Sequence, residues 1–378
     1  MRIRGAIPTA GLADGVVTVT DDGLIAEVTA AAGGEPTGDL ILPGLVDIHC
    51  HGGGGLAFTT FDAAEARAVA AHHAARGTTG IVASLVTAPP DVLLRQIRAL
   101  APLVAAGELL GIHLEGPFIS AARCGAQAPE FIRDPDPALA ADLLAAANGA
   151  IKIVTLAPER SGVPALVTLF RSAGVVVAFG HTDASYDVMA AGLASLGGTG
   201  LVTHLANGMP PLHHRSSGPV AAALVAAAAD EASVELVADG VHVDAGFTRL
   251  VFATAAPGRV VLITDAMAAA GMPDGHYDLG PARVTVAGGV ARLESGGGGP
   301  AGGALAGGTS SLLQVVATAV AAGVPQADAI RAASVAPARV LGLDGGAGAL
   351  VPGLPADVVV ADERLRVRRV LRHGHWIQ

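Results

Sequence analysis

Short runs rich in Val, Ile and Leu recur through the middle of the chain, mostly followed by an alanine-rich stretch of helical character. They lie at Gly44 to Asp47, Thr79 to Ala83, Gly111 to Leu114, Ile151 to Leu156, Val175 to Phe179, Leu201 to Thr203, Val234 to Val237 and Val260 to Ile263. Apolar runs this short, bounded by Gly, Pro and polar residues, read as buried strands. Strands alternating with helices imply a parallel sheet, and eight of them predict closure into a (β/α)8 TIM barrel over 42–344. A doubly wound open sheet is the alternative on alternation alone. The polar residues favour the barrel: His49 and His51 follow the first run, Glu115 the third, His181 the fifth and His204 the sixth. His242 lies just beyond the seventh run and Asp265 follows the eighth. Barrel active sites form at the C-terminal ends of the strands, so these separate segments converge on one pocket.

The texture changes at both ends. Up to Gly38, short apolar pieces such as Val16 to Val19 and Leu24 to Val28 alternate with Gly, Asp and Pro, and the tail repeats this at Asp357 to Ala361 and Arg366 to Leu371. The expectation is a small β-sandwich domain built from both termini, 1–41 with 345–378, beside the catalytic barrel.

Composition narrows the class. With 378 residues, 51% hydrophobic and 15% charged, the chain suits one large core filled by Ala, Val and Leu. Its mean hydropathy of +0.54 raises the question of a membrane. The apolar stretches are broken by Gly, Pro, Asp or Arg before a spanning length, so no membrane helix is expected. A net charge of −10 without a basic cluster makes nucleic acid a poor partner and leaves small molecules. Two cysteines and no apolar leader after Met1 point to a reducing cytoplasm.

His49-Cys50-His51 at a strand end places two imidazoles on one face and sends Cys50 to the other, since side chains alternate with period two. Alone, such a pair is weak evidence for a metal, because buried histidines often bond backbone groups instead. Glu115, His181, His204 and Asp265 add nitrogen and oxygen donors of the kinds that zinc or iron(II) accept.

At this point the chain resembles the N-acetylglucosamine-6-phosphate deacetylase family of the amidohydrolase superfamily. The resemblance rests on LPGLVDIHCHGGGG, HLEGPFIS, IKIVTLAPE, FGHTDAS, THLANGMPPLHHR, ADGVHVD, LITDAM and LAGGTSSL, in that order along nearly the whole chain. It implies hydrolysis of the N-acetyl group of N-acetylglucosamine 6-phosphate, with one or two divalent ions per chain. Glu115, His181 and His204 would bind the tighter ion, and His49 with His51 would complete a second site bridged by Glu115. Asp265 would be the base that takes a proton from the attacking water and returns it to the leaving amine, and His242 would polarise the carbonyl oxygen. Asn207, Gly208 and Arg215 would hold the phosphate, with Arg215 reaching across a homodimer interface. Ala126, Leu305 and the loop residues Cys124 and Gln127 would complete the substrate pocket. Lys152 begins the fourth strand and is given a structural role.

Departures from the family pattern fall in two segments, the loop after HLEGPFIS and LANGM. Gln127 stands where a histidine is usual; it can still bond a sugar hydroxyl but carries no charge. Cys124 replaces a basic residue on a loop expected to order over bound substrate. Gly208 replaces an alanine and keeps the backbone donor. The rival readings are N-acetylgalactosamine-6-phosphate deacetylation, a cyclic-amide hydrolase with the same barrel, and a sugar-phosphate binding protein without catalysis. HLEGP and Arg215 oppose the cyclic-amide hydrolase, and Asp265 opposes the non-catalytic reading.

Overall fold

All eight apolar runs become neighbouring strands of one parallel sheet: β1 (Leu45–Cys50), β2 (Thr78–Leu85), β3 (Gly111–Glu115), β4 (Ile151–Leu156), β5 (Val176–Phe179), β6 (Gly200–Val202), β7 (Ala232–Leu236) and β8 (Val260–Leu262). The computed structural model describes every residue except 34, 36, 295–302, 344 and 378. Each strand pairs in parallel with the next, from β1 to β8. The exit of β8 returns to β1, where Ala266 bridges Cys50 in parallel. There the Asp265 N–H bonds the His49 carbonyl at 2.9 Å and the His51 N–H bonds the Ala266 carbonyl at 2.7 Å. The result is a TIM-like barrel, not the open sheet.

Two apolar layers follow from strand alternation. Val154, Leu156, Val177, Phe179, Val202, Val234 and Leu236 face the helices and join the main core. Val46, Ile48, Val82, Ile153, Ala178, Leu201, Val261 and Ile263 form a separate interior cluster. The register of β1 against β2 slips between Asp47 and Cys50. This irregularity lets Val46 and Ile48 join the interior while His49 and His51 turn into the barrel mouth. β1 runs past Asp47 to Cys50, so His49 lies in the strand and His51 just beyond it.

Strands from both termini build a second sheet of seven. Its order is His375–Ile377, Val367–Arg372, Val358–Ala361, Leu40–Pro43, Arg2–Ile7, Leu12–Val19 and Ile25–Ala30. Leu40–Pro43 pairs antiparallel with Val358–Ala361, and Ala6 meets Leu40 in parallel. Ile3, Ile7, Val17, Val19, Ile25, Ile41, Val358 and Leu371 bury a core of their own.

A three-stranded antiparallel sheet, Gly275–Leu279, Ala282–Ala287 and Val290–Leu293, stands between β8 and the helix Leu312–Ala321. It was not among the expected elements. Met267, Val86 and Ala306 pack beneath it.

Candidate active site

The C-terminal mouth of the barrel gathers the residues singled out above. His51, Glu115, Gly125, Ala126, Gln127, His181, His204, Asn207, Gly208, His242, Asp265, Leu279, Ala304, Leu305 and Gly307 line a cavity of about 210 Å³. Two expected contacts are not in its wall. Cys124 is half-buried beside it, and Arg215 is exposed with His213 and His214, its N–H bonded to His213 Nδ1 at 3.2 Å. A larger cleft of 540 Å³ at the opposite ends of β5 to β7, flanked by Arg171, Arg259 and Arg339, contains none of the candidate residues.

Within the cavity the donors fall into two triads, His49 with His51 and Asp265, and Glu115 with His181 and His204. Glu115 stands between them. Its Oε1 lies 3.0 Å from His181 Nε2 and 2.9 Å from His204 Nε2, and its Oε2 lies 3.2 Å from His51 Nε2. Asp265 Oδ1 lies 3.2 Å from His51 Nε2 and 3.4 Å from His49 Nε2.

The far side of the imidazoles decides whether this set suits a cation. His49 Nδ1 meets Glu235 Oε2 at 3.0 Å, His51 Nδ1 meets the Ser84 carbonyl at 3.2 Å, and His181 Nδ1 meets the Arg123 carbonyl at 2.8 Å. Each acceptor holds a proton on Nδ1 and turns Nε2 inward, where it can serve as a ligand once its own proton is given up, the usual outer support of a metal-bound histidine. Those Nε2 atoms crowd together, 3.2 Å apart for His49 and His51 and 3.1 Å for His181 and His204. Nitrogens so close gather around positive charge, whether protons or a cation, and nitrogen and carboxylate donors in threes fit a divalent transition ion.

Electrostatics agree. Against the penalty of burial, the carboxylates of Glu235, Asp265 and Glu115 hold His49 well above the ordinary imidazole range. Burial likewise opposes, but Asp265 and Glu115 outweigh it, to push His51 up to about 9. Despite burial, the cluster of histidines holds the carboxyls of Glu115 and Asp265 well below their usual range.

The backbone carries strain at the same residues. His181, His204 and Asp265 have φ of 45°, 27° and 48°, a left-handed conformation uncommon outside glycine. Strain of this kind persists where surrounding structure enforces it, and it gathers at functional sites. Asp265 caps no helix; the next helix among the described residues, Leu312–Ala321, has Ser311 as its cap in a capping box of its own.

Sequence reasoning missed the supporting residues. Glu235 on β7 is fully buried, bonding His49 and the His204 N–H at 3.2 Å. Asp239 Oδ2 lies 2.8 Å from His242 Nδ1, and its Oδ1 accepts the N–H groups of Val241 and His242. Although burial opposes it, Asp239 raises His242 above its ordinary range. Beneath the triads, Ser84 Oγ, His113, Thr155 Oγ1 and Thr203 Oγ1 form a buried chain of hydrogen bonds across the barrel. An acidic residue inside an apolar run, as at Glu235, was the available signal.

The segment from Ser120 to Gln127 is tied down. Arg123 bonds Asp183 at 2.7 Å, and Ser120 N–H bonds the His181 carbonyl at 2.9 Å. Gly208 adopts φ of 59°, and a Cβ there would meet His181 Nδ1 at 2.8 Å. A methyl at this position therefore has no room against His181 as it stands.

An amidohydrolase family model matches residues 40–377. N-acetylgalactosamine-6-phosphate deacetylase of Escherichia coli O157:H7 is 36% identical over 371 residues, 97% of this chain and 92% of that protein. N-acetylglucosamine-6-phosphate deacetylase of Vibrio furnissii is 33% identical, spanning 96% and 91%. Among solved structures, a mutant N-acetyl-D-glucosamine-6-phosphate deacetylase from Mycobacterium smegmatis, in complex with N-acetyl-D-glucosamine-6-phosphate, superposes with a TM-score of 0.91. It is 41% identical, with 100% of this chain and 98% of that one covered.

Proposed function

The chain belongs to the amidohydrolase family, among its N-acetylhexosamine-6-phosphate deacetylases, and from that premise we propose that it hydrolyses N-acetylglucosamine 6-phosphate to glucosamine 6-phosphate and acetate. The observation that carries this reading is the pair of triads at the barrel mouth, joined by Glu115 and flanked by Asp265 and His242. His49, His51, Glu115, His181 and His204 would hold one or two ions, Zn or Fe(II). Such an ion supplies a Lewis acid that polarises the amide carbonyl and acidifies water.

The remaining work falls to side chains. Asp265, ionised and only 9% exposed, takes a proton from the attacking water and delivers it to the departing amine nitrogen. His242, its Nδ1 fixed by Asp239, presents Nε2 to the acetamide oxygen and stabilises charge as it develops there. Leu305 and Ala126 give the sugar an apolar wall beside these groups. Asn207 and the N–H of Gly208 hold the phosphate from within the chain.

Arg215, exposed and outside the cavity wall, completes the phosphate site of a second protomer in a homodimer. Cys124 belongs to the same substrate loop. The barrel of 42–344 is the catalytic unit, and 1–41 with 345–378 form the accessory domain. Two cysteines that form no disulfide suit a cytoplasmic enzyme, and no helix among the described residues is long and apolar enough to cross a membrane.

Acetate release tests the reading. The 6-phosphate of N-acetylglucosamine should be turned over fastest, with the unphosphorylated sugar poor. Faster turnover of N-acetylgalactosamine 6-phosphate would assign the chain to the activity of its Escherichia coli relative. No acetate from either phosphate would refute deacetylation.

A further inference from the structure

Gln127 differs from its neighbours in the cavity wall, because both ends of its amide already have protein partners. Its Oε1 accepts the N–H of Thr87 at 2.7 Å. A backbone N–H can only donate, so this contact fixes which end of the amide is oxygen and leaves Nε2 to face the site. Nε2 donates to Glu115 Oε2 at 2.5 Å. Thr87 also donates from Oγ1 to the backbone carbonyl of Glu115 at 3.1 Å. The segment after β2 therefore grips Glu115 twice, at its main chain directly and at its carboxylate through Gln127. With 6% exposure, Gln127 has little water to exchange for these bonds.

The consequence concerns the plane of one carboxylate. Glu115 Oε1 faces His181 and His204 at 3.0 and 2.9 Å, with His49 farther off at 3.6 Å, whereas Oε2 faces His51 and Gln127. The terminal torsion of a glutamate is soft, and a free carboxylate would swing so that both oxygens lean toward whichever triad attracts them more. An amide fixed at Oε2 opposes that rotation and keeps one oxygen for each triad.

We infer that Gln127 is a positioning residue for the cations and not a reader of the sugar: it holds the Glu115 carboxylate in the plane that serves both triads. This rests on the metal-dependent reading above. Hydrogen-bonded supports of metal ligands typically change metal affinity by about 10- to 100-fold when removed.

The test is a competition titration of apo protein with Zn(II) against a chromophoric chelator, for wild type, Gln127→Ala and Gln127→Glu. Gln127→Ala should bind Zn(II) about 10- to 100-fold more weakly, and at saturating Zn(II) its KM for the phosphosugar should stay close to that of wild type. Gln127→Glu keeps the shape and the bond from Thr87 but sets a carboxylate against Glu115, so its loss should be at least as large. It decides the matter if the alanine variant does not fold. Wild-type Zn(II) affinity in the variants, together with a raised KM, would overturn the inference and return Gln127 to the sugar. Failure of the wild type itself to take up Zn(II) would instead overturn the metal-dependent reading on which it stands.

Discussion

At Asp265 a left-handed backbone, burial and a depressed carboxyl pKa coincide beside His49 and His51. The Asp265 charge reaches His242, and Asp265→Asn would remove the carboxylate proposed to take the proton. Turnover should fall by about 10² to 10⁴, while equilibrium binding of the phosphosugar is retained; activity within tenfold of wild type would mean that another group is the base. The imidazoles make a second expectation. His49, His51 and His181 are all held above the ordinary imidazole range, burial notwithstanding, by Glu115 and Asp265, and for His49 also by Glu235. A group with a raised pKa keeps its proton below that value, and a ligand nitrogen must give its proton up. Metal loading at neutral pH should therefore release protons, and apparent affinity should climb as pH rises toward about 9, the value for His51. An indicator dye in weak buffer reads the release directly. Loading with no proton release would show that the imidazoles are neutral beforehand.

Between elements, the closure of the ring depends on a buried carboxylate. Asp47 on β1 accepts from Thr264 Oγ1, from the Thr264 N–H at 3.4 Å and from the His49 N–H at 3.3 Å, so the exits of β8 and β1 are joined by side chain as well as backbone. Asp47→Ala strands these donors in a dry site, at a cost of about 1 to 3 kcal/mol each, and should lower the melting temperature clearly. Burial pushes the Asp47 carboxyl up to about 6. Its pKa in the fold thus exceeds its ordinary value, so its contribution to stability is complete below the ordinary carboxylate range and shrinks as pH rises through about 6. Asp47→Asn, which cannot ionise, should flatten that part of the stability profile, and thermal melts on either side of pH 6 will show whether it does. The strands themselves were legible because buried parallel strands read as unbroken β-branched runs, as in Ile151–Leu156, whose expected and observed ends coincide. Gly275–Leu279 was not: its GHYDL does alternate exposed His276 and Asp278 with less exposed neighbours, but five residues opening on a glycine carry too little apolar signal to stand out. In the site, chemistry at strand ends pointed to His181 and Asp265. Asp239 and Gln127 act through geometry that spacing does not encode, one by a turn of its own loop and the other by a bond to Thr87.

For the whole molecule, the placement of Arg215 matters most. Within one chain it is exposed and outside the cavity wall, and a homodimer would bring it to a neighbouring phosphate. One charge-assisted contact is worth about 1.5 to 3 kcal/mol, so Arg215→Ala should lower kcat/KM for the phosphosugar about ten- to a hundred-fold and leave unphosphorylated sugar nearly unaffected. Co-refolding Arg215→Ala with Asp265→Asn should then raise activity above either parent, because one pocket of each mixed dimer recovers both residues. An average of the two parents, with mixed dimers confirmed by mass, would place Arg215 outside its partner's pocket. The seven-stranded sheet has a consequence of another kind, set by the order in which the chain is made. Leu40–Pro43 can pair with Val358–Ala361 only after the whole barrel segment between them has been made. Through most of synthesis the first strands present an open edge, the sort of surface on which nascent chains stick to one another. Completion of this sheet waits for the segment from Val358 onward, and a message truncated shortly before Val358 should yield aggregate where a self-contained N-terminal module would have yielded a soluble fragment.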